Sequence, residues 1–309
     1  MLNTESTKNN KVAIILATYN PNMLYLKQQL VSIRDQTFKD YHLYVFDDDS
    51  IKSNFKYIKN LLTSIFDDHF TLIMNSENIG CPHNFIQALK KISQHEYYSF
   101  CDQDDIWLPN KLQTSLAGIV GNNLYCSSTK LVDENNNFIG INELNIMPSF
   151  KNALVQSIAG GNTYLFDNHV KQLLLKIPDK ISMPSHDWTL YQVTSAHNYK
   201  INYDHNPTIL YRLHSNNLTG TSFSFKSKIM RLIALFSGEY KKWNDDNYKI
   251  LSLYKLSMKP RCLKLLETFY SCRNGNIIHR ISLYTKYSFR RSSIVQNLSF
   301  ILGLIFNKI

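Results

Sequence analysis

Between residues 11 and 105 the chain switches repeatedly between short apolar runs and stretches of helical periodicity, and this alternation restricts the fold more than any other feature. Residues 11–17 (KVAIILA), 41–46 (YHLYVF), 70–74 (FTLIM) and 97–101 (YYSFC) have the length and the β-branched or aromatic character of buried strands. Between them, residues 22–36 place Met23, Leu26, Leu30 and Ile33 on one helical face. Residues 55–65 do the same with Ile58, Leu61, Leu62 and Ile65, and residues 84–93 with Phe85, Ala88, Leu89 and Ile92. Strands that alternate with helices through short connections form βαβ units. The reading is therefore an α/β fold with a mixed, mostly parallel, Rossmann-like sheet flanked by helices.

In such sheets ligands bind beyond the carboxyl ends of the strands. Three of the four strand ends are polar: Thr18 with Asn20, Asp47-Asp48-Asp49-Ser50, and Asp102-Gln103-Asp104-Asp105. Acids gathered on one rim repel each other, so a ligand or cation is the economical reason for them. Two carboxylates one residue apart, Asp102 and Asp104, can reach a hard divalent ion. Mn²⁺ or Mg²⁺ takes such oxygens and completes its shell with substrate phosphates. The competing reading is a solvated acidic turn. Asp47–Ser50 can accept from a nucleoside's imide and hydroxyls, or cap the following helix. His186-Asp187-Trp188 follows Pro184-Ser185 at a helix start, where Asp187 is either a general base or a cap. Residues 211–217 (YRLHSNN) offer Arg212 to phosphate and His214 to phosphate or metal, unless both are surface residues. The other nine histidines form no ligand-spaced cluster and read as structural or exposed.

After Asp105 the pattern is mixed: a helix over 110–120, strands over 124–132 and 162–166 with a turn at 133–137, a helix over 186–194, and short strands over 200–203 and 208–213. From residue 223 onward the periodicity predicts helices over 226–236, 240–256, 263–271, 277–287 and 294–306. We place a division near residue 222: an α/β domain over 1–222, which carries the acidic rim, and a helical, basic C-terminal extension over 223–309. With 44% hydrophobic and 19% charged residues, the chain can build a sizeable core.

Charge divides the same way. Residues 1–220 hold 18 Lys and Arg against 20 Asp and Glu, whereas residues 221–309 hold 16 against 4. Lys226, Lys228 and Arg231 lie beside Ile229, Leu232, Ile233 and Phe236, and Lys286, Arg290 and Arg291 precede the apolar run 294–306. Basic amphipathic helices of this kind lie on anionic membrane surfaces. A solvated face, a dimer interface and nucleic-acid contact are the rivals. The last helix is more apolar than a polyanion binder requires, so the membrane is favoured and nucleic acid is not expected. That run is shorter than the ~20 residues of a spanning helix, and Gln296 and Asn297 interrupt it. Five cysteines without a CxxC pair indicate neither a disulfide framework nor a zinc site. With a polar stretch at residues 1–10, these features lead us to expect a cytoplasmic protein, peripheral on the inner face of the plasma membrane.

Taken together, VAIILATYNP (12–21), VFDDDS (45–50), NSENIG (75–80), FCDQDDIWLPNK (100–111), HDW (186–188) and YRLHSNN (211–217) resemble the family-2 glycosyltransferases of the GT-A fold, in order and spacing, over about two thirds of the chain. The DQDDIW form and the YRxHxNN segment look like the branch that makes bacterial surface polysaccharides, including rhamnosyltransferase-like members. The resemblance implies that Ala17, Thr18 and Tyr19 line the nucleotide pocket, with Tyr19 near the base. It implies that Asp48 holds a uracil or thymine imide, assisted by Asp47 or Asp49. Asn78, Gly80 and Asn84 would flank the nucleoside. Asp102 would reach the ribose or diphosphate, and Asp104 would be the principal metal ligand. Asp187 matches the catalytic base. His214, helped by Arg212, would lie near the diphosphate. Gly160-Gly161-Asn162, with His186 and Trp188, would line the acceptor side. The third acid, Asp49, departs from the small residue common there.

The implied reaction is an inverting transfer from a UDP- or dTDP-sugar to a hydroxyl of a glycan or lipid-linked acceptor. Two other functions fit the same residues. A nucleotidyl- or phosphotransferase would use the acidic rim without needing HDW. A non-catalytic polyanion- or lipid-binding module would use the basic tail without needing Asp48, Asp102, Asp104 and Asp187.

Overall fold

Side chains along the first strand alternate between two apolar layers, and the rest of the molecule is built on that alternation. In the computed structural model, which describes residues 11–197, 199–214 and 233–309, strand β1 (Val12–Thr18) sends Val12, Ile14 and Leu16 to one face and Ala13 and Ile15 to the other. The first face meets helix α1 (Met23–Arg34) through Leu26, Leu30 and Ile33, and α2 (Lys52–Phe66) through Ile58, Leu61 and Leu62. The second meets α3 (Cys81–Lys91) through Phe85, Ala88 and Leu89. A strand covered on both faces has no polar side to offer, which is why residues 12–17 are all apolar.

Strands β2 (Tyr41–Asp47), β3 (Phe70–Met74) and β4 (Tyr97–Cys101) join β1 in parallel. The sheet continues through β6 (Leu124–Ser127), β9 (Leu165–Asp167) and β10 (Ile201–Asp204), in the order β10-β6-β9-β4-β1-β2-β3. Only β9 runs antiparallel to its neighbours. A smaller sheet has the order β5-β11-β7-β8, from β5 (Ile106–Trp107), β7 (Thr129–Val132), β8 (Phe138–Asn142) and β11 (Ile209–Arg212). The fold is thus mixed α/β with a mostly parallel main sheet flanked by helices.

The four parallel strands and their helices match the sequence reading to within a few residues. The segment 124–132 does not form one strand but two, in different sheets. Ser128 leaves the ladder there, its hydroxyl donating to the His205 carbonyl (2.7 Å) and its N–H to the Asp204 carbonyl (2.9 Å). The segment 162–166 opens as a 3-10 turn, Gly161–Thr163, before β9. The turn at 133–137 joins β7 to β8, with Asp133 accepting from the N–H groups of Asn135 and Asn137.

Helices α4 (Lys111–Gly118), α5 (Phe150–Ala153), α6 (Asn168–Leu174) and α7 (His186–Ala196) complete the main body. Then come α8 (Glu239–Ser252), α9 (Pro260–Asn274), α10 (Ile277–Thr285) and α11 (Ile294–Ile305). Ile250, Leu251, Leu266, Phe269, Leu283, Phe300 and Leu304 enter the same apolar cluster as Phe85, Leu190 and Val193. Helix α8 packs on α7, and α9 to α11 extend the same core. The division placed at residue 222, and most of the helix expected over 226–236 with Lys226, Lys228 and Arg231, fall outside the described residues; residues 233–237 are helical. The five cysteines are free thiols.

Candidate active site

In-register pairing brings the strand ends together. Thr18 stands opposite Asp47, Asp47 opposite Met74, and Leu16 opposite Cys101. The loops after β1, β2, β3 and β4 therefore open on one edge of the sheet.

Asp47 is buried and holds the fold. Its carboxylate accepts from Thr18 Oγ1 (2.8 Å), Ser50 N (2.9 Å) and Ser50 Oγ (2.7 Å). Asp49 is exposed and has φ 64°, the left-handed conformation of a tight turn. Asp48, between them, points under the next loop. Its Oδ1 accepts from Asn75 Nδ2 (2.9 Å) and Ile79 N (3.0 Å), and its Oδ2 from Gly80 N (2.8 Å). Asn78 donates to the Asp48 carbonyl (3.1 Å). Asn84 is buried, donating to the Phe46 carbonyl (2.9 Å) and accepting from Asn75 (3.0 Å). Asn75, which the sequence reading assigned no role, is the hub that orients both Asp48 and Asn84.

Tyr19 lies at the mouth, 49% exposed, beyond the part-buried Ala17 and the buried Thr18. Its backbone is clamped by Gln103, whose Oε1 accepts from Tyr19 N (2.9 Å) and whose Nε2 donates to Tyr19 O (3.4 Å). Gln103 was visible only as the middle letter of DQD. Its task is to tie the β4 loop to the β1 loop.

Asp102 and Asp104 flank it. Burial, then the carboxylates of Asp104 and Asp187, push the Asp102 carboxyl up to about 8. A residue after β4 and one at the head of α7 are thus close enough to repel. The thiol of Cys81, at the start of α3, is raised by burial and then by Asp102, Asp187, Asp48 and Asp104. Four acids from two loops and one helix start thus lie around it. Asp105 is fully buried behind them, accepting from Asn162 Nδ2 and from Arg212 N (3.3 Å). Its proton affinity is raised by burial, then by Asp104 and Asp102.

His214 Nε2 meets Asp104 Oδ2 at 2.8 Å, and its ring lies 5.6 Å from that of Tyr25. Arg212 is buried. Its guanidinium stacks 4.0 Å over Tyr25 and donates to Gln28 and to Asn136 (2.9 Å). It senses Asp105 and Asp104, but those contacts commit it to locking β11 and the β7–β8 turn against α1. Ser215, Asn216 and Asn217 lie outside the described residues.

Asp187 occupies the first turn of α7, capped by Ser185. Its Oδ1 accepts from Ser185 Oγ and from Trp188 N (2.6 Å), while Oδ2 carries no bond among the described residues. Trp188 is anchored by its indole N–H on the Ala153 carbonyl (2.7 Å). His186 is buried against Phe85 and Phe100, with ring centroids 4.2 and 5.3 Å away, and burial lowers its proton affinity. Gly161 packs so closely that an added Cβ would stand 2.3 Å from His186 Nε2 and 3.4 Å from Asp187 Cβ. Gly160 is equally confined, against Asn162 Oδ1 at 2.7 Å.

No three His, Cys, Asp or Glu side chains among the described residues form a closed metal cage. The donor set suits a divalent ion of another kind. Asp104 with Asp102 beside it supplies hard oxygens, His214 is in reach, and the neighbouring carboxylates form a concentration of negative charge that a cation would relieve. Mn²⁺ and Mg²⁺ accept such a partial set and draw the rest from water and phosphate.

A sequence model described as glycosyl transferase family 2 matches residues 13–200. The chain is 28% identical over 244 residues to the dTDP-rhamnosyl transferase RfbG of Shigella flexneri, covering 74% of this chain and 81% of that one. Its fold resembles the mannosyltransferase PcManGT from Pyrobaculum calidifontis, solved with GDP-Man and Mn²⁺, at TM-score 0.54 and 15% identity over 98% of this chain and 86% of that one. It also resembles residues 1–349 of S. aureus TarS, solved with UDP-GlcNAc, at TM-score 0.55 and 15% identity over 96% and 90%.

Proposed function

The chain belongs to glycosyl transferase family 2, and from that membership we propose that it is an inverting enzyme of bacterial surface-polysaccharide synthesis, moving a sugar from a UDP- or dTDP-sugar to a hydroxyl of a glycan or lipid-linked acceptor. It is a glycosyltransferase of the GT-A fold. One observation carries the mechanistic reading: Gly161 packs on Asp187 while its neighbour Asn162 donates to Asp105, so one short segment holds the head of α7 and the acidic loop after β4 within reach of each other. That mutual reach supports a donor side and an acceptor side meeting in one cleft.

Asp187 is the general base. Its Oδ1 is held by Ser185 and Trp188, so Oδ2 is the oxygen that takes the acceptor hydroxyl's proton. The acceptor oxygen bonds to the anomeric carbon as the bond from that carbon to the diphosphate oxygen breaks. The proton stays on Asp187, and the nucleoside diphosphate leaves with the electron pair. His214 faces the departing charge beside Asp104. A divalent ion held by Asp104, with Asp102 and His214 beside it, would supply further positive charge to that diphosphate. The Mn²⁺ bound by the archaeal mannosyltransferase supports this choice of group.

Asp48, oriented by Asn75 and the 78–80 loop, reads the base edge, and the exposed Tyr19 ring covers it. The rhamnosyltransferase likeness favours a dTDP-sugar, and the TarS likeness keeps a UDP-sugar in view. Gly160, Gly161, His186 and Trp188 shape the acceptor side. On this reading the enzyme works at the cytoplasmic face of the membrane, with residues 1–222 as its catalytic unit.

A panel of nucleotide sugars in thermal shift with Mn²⁺ tests the reading, since a ligand that binds the folded form raises its melting temperature. A shift with a UDP- or dTDP-sugar and release of the nucleoside diphosphate are expected. Release of pyrophosphate or a sugar phosphate instead would overturn it.

A further inference from the structure

We infer that the outer face of α11 is a membrane-docking surface that seats the enzyme on an anionic bilayer with its acceptor side at the lipid surface. This rests on the lipid-linked acceptor proposed above and specifies how such an acceptor is met.

Helix α11 has two unlike faces. Phe300, Gly303 and Leu304 are buried in the common core. Gly303 lets the chain fold back closely, with Ile309 Cγ1 2.3 Å from where a Cβ would stand. On the other side Ile294 is 80% exposed, Val295 66% and Leu298 57%, and Leu302 and Phe306 continue the row. Phe236, itself exposed, extends it through a ring contact of 5.6 Å with Phe306. Water gains nothing from a continuous row of large aliphatic side chains, so such a row marks a surface meant to be covered.

Charge identifies the cover. From residue 268 to 309 the chain has six Lys and Arg and no Asp or Glu. Exposed Lys286 and Arg290 precede the helix. At its far end Arg280 donates to the carbonyls of Leu304 (2.6 Å) and Ile305 (3.3 Å), and Lys241 reaches Asn307 (3.3 Å). An apolar stripe with cations at both ends fits lipid tails framed by anionic headgroups. A partner held by charge alone would need no such stripe. No helix of the described residues is long and apolar enough to cross a membrane, so α11 would lie in the interface.

The geometry joins this surface to the active site. Just before α11, Arg291 Nε donates to the Val155 carbonyl (3.0 Å) and Ser292 N to Gln156 Oε1 (2.8 Å). Residues 155–156 lead directly into Gly160-Gly161, which packs on His186 and Asp187. The stripe therefore begins next to the segment that lines the acceptor side.

The test is flotation of the whole protein with vesicles of phosphatidylcholine alone or mixed with phosphatidylglycerol. Wild type should float with the mixed vesicles, weakly with the neutral ones, and less in high salt. Leu298→Asp with Leu302→Asp should cut flotation about tenfold or more. Both positions are exposed, so the variant should keep its circular dichroism, its melting temperature and its thermal shift with UDP or dTDP. Undiminished flotation of the variant would overturn the inference. So would light scattering showing a wild-type dimer that the variant dissolves, since the face would then bind a second copy. If flotation behaves as expected but no nucleotide sugar binds, the reaction proposed above fails and the membrane surface stands.

Discussion

The imidazole of His214 stands 2.8 Å from Oδ2 of Asp104, a contact across 110 positions of chain that brings the loop after β11 to the end of β4. A histidine here either orients the carboxylate or joins it in holding a cation, and in both cases its loss disorders the diphosphate end of the cleft. His214→Ala should weaken Mn²⁺-dependent donor binding by about 10- to 100-fold, the usual effect of removing a partner of a metal-binding carboxylate. Calorimetry of UDP and dTDP with and without Mn²⁺ measures it. Equal metal dependence in variant and wild type would assign the contact to folding alone.

Asp187→Asn separates chemistry from binding. The amide oxygen can still accept from Ser185 Oγ and Trp188 N, so α7 keeps its cap. An amide cannot take a proton, and kcat should fall by about 10²- to 10⁴-fold. Thermal shift with the donor should not change. Transfer at the native rate would place the base elsewhere.

The pH dependence follows from Asp102. Its carboxyl is raised from 3.8 to about 8, so the folded protein keeps a proton that the unfolded chain releases. That contribution to stability is fully present below 3.8 and is lost as pH rises through about 8. A divalent cation needs the carboxylate and must displace the proton. The thermal shift given by Mn²⁺ should therefore grow with pH up to about 8 and level off above it. Asp104→Asn removes one of the charges that raise Asp102, and should weaken metal binding while moving the remaining pH profile downward. A metal response flat across this range would mean that Asp102 is already ionised at neutral pH.

Asn75→Ala addresses the nucleotide end. Losing its amide removes one donor from Asp48 and one from Asn84, both buried. Stability should fall by about 1–3 kcal/mol, and UDP or dTDP should bind about tenfold more weakly, with kcat at saturating donor preserved. A fall in kcat with unchanged KM would contradict the assignment of this network to the base.

The four βαβ strands and the rim of acids were legible because local patterns encode them: the apolar run of β1 is covered on both faces, and β2 and β4 end where carboxylates begin. The short partners were not. β5 has two residues, too few for any period, and β8 exposes Phe138, Ile139 and Ile141 on an edge without alternation. The break at Ser128 depends on carbonyls of Asp204 and His205, far along the chain. The same holds within the site. Asp48 and Arg212 were identifiable as residues, but their hydrogen bonds to Asn75 and to Gln28 and Asn136 arise only when remote loops meet. Residue type announces the chemistry, and tertiary contact decides which atom is free to perform it.

Gly161→Ala tests the packing that sets the acceptor side. Gly161 has no unusual backbone angle to protect; what requires a hydrogen there is the imidazole of His186, 2.3 Å from where a Cβ would stand. That ring is wedged between Phe85 and Phe100 and cannot retreat without disturbing the core. The added methyl must therefore push the start of α7, and Asp187, its neighbour in sequence, moves with it. Overpacking of this kind costs about 1–3 kcal/mol. A displacement near 1 Å at a catalytic base costs about 10²-fold in rate. Nucleotide-sugar binding, on the far side of the cleft, should survive. Calorimetry of the donor beside single-turnover transfer separates the two: intact binding with slowed transfer is the expected result, and native transfer by Gly161→Ala would show that this contact does not position Asp187.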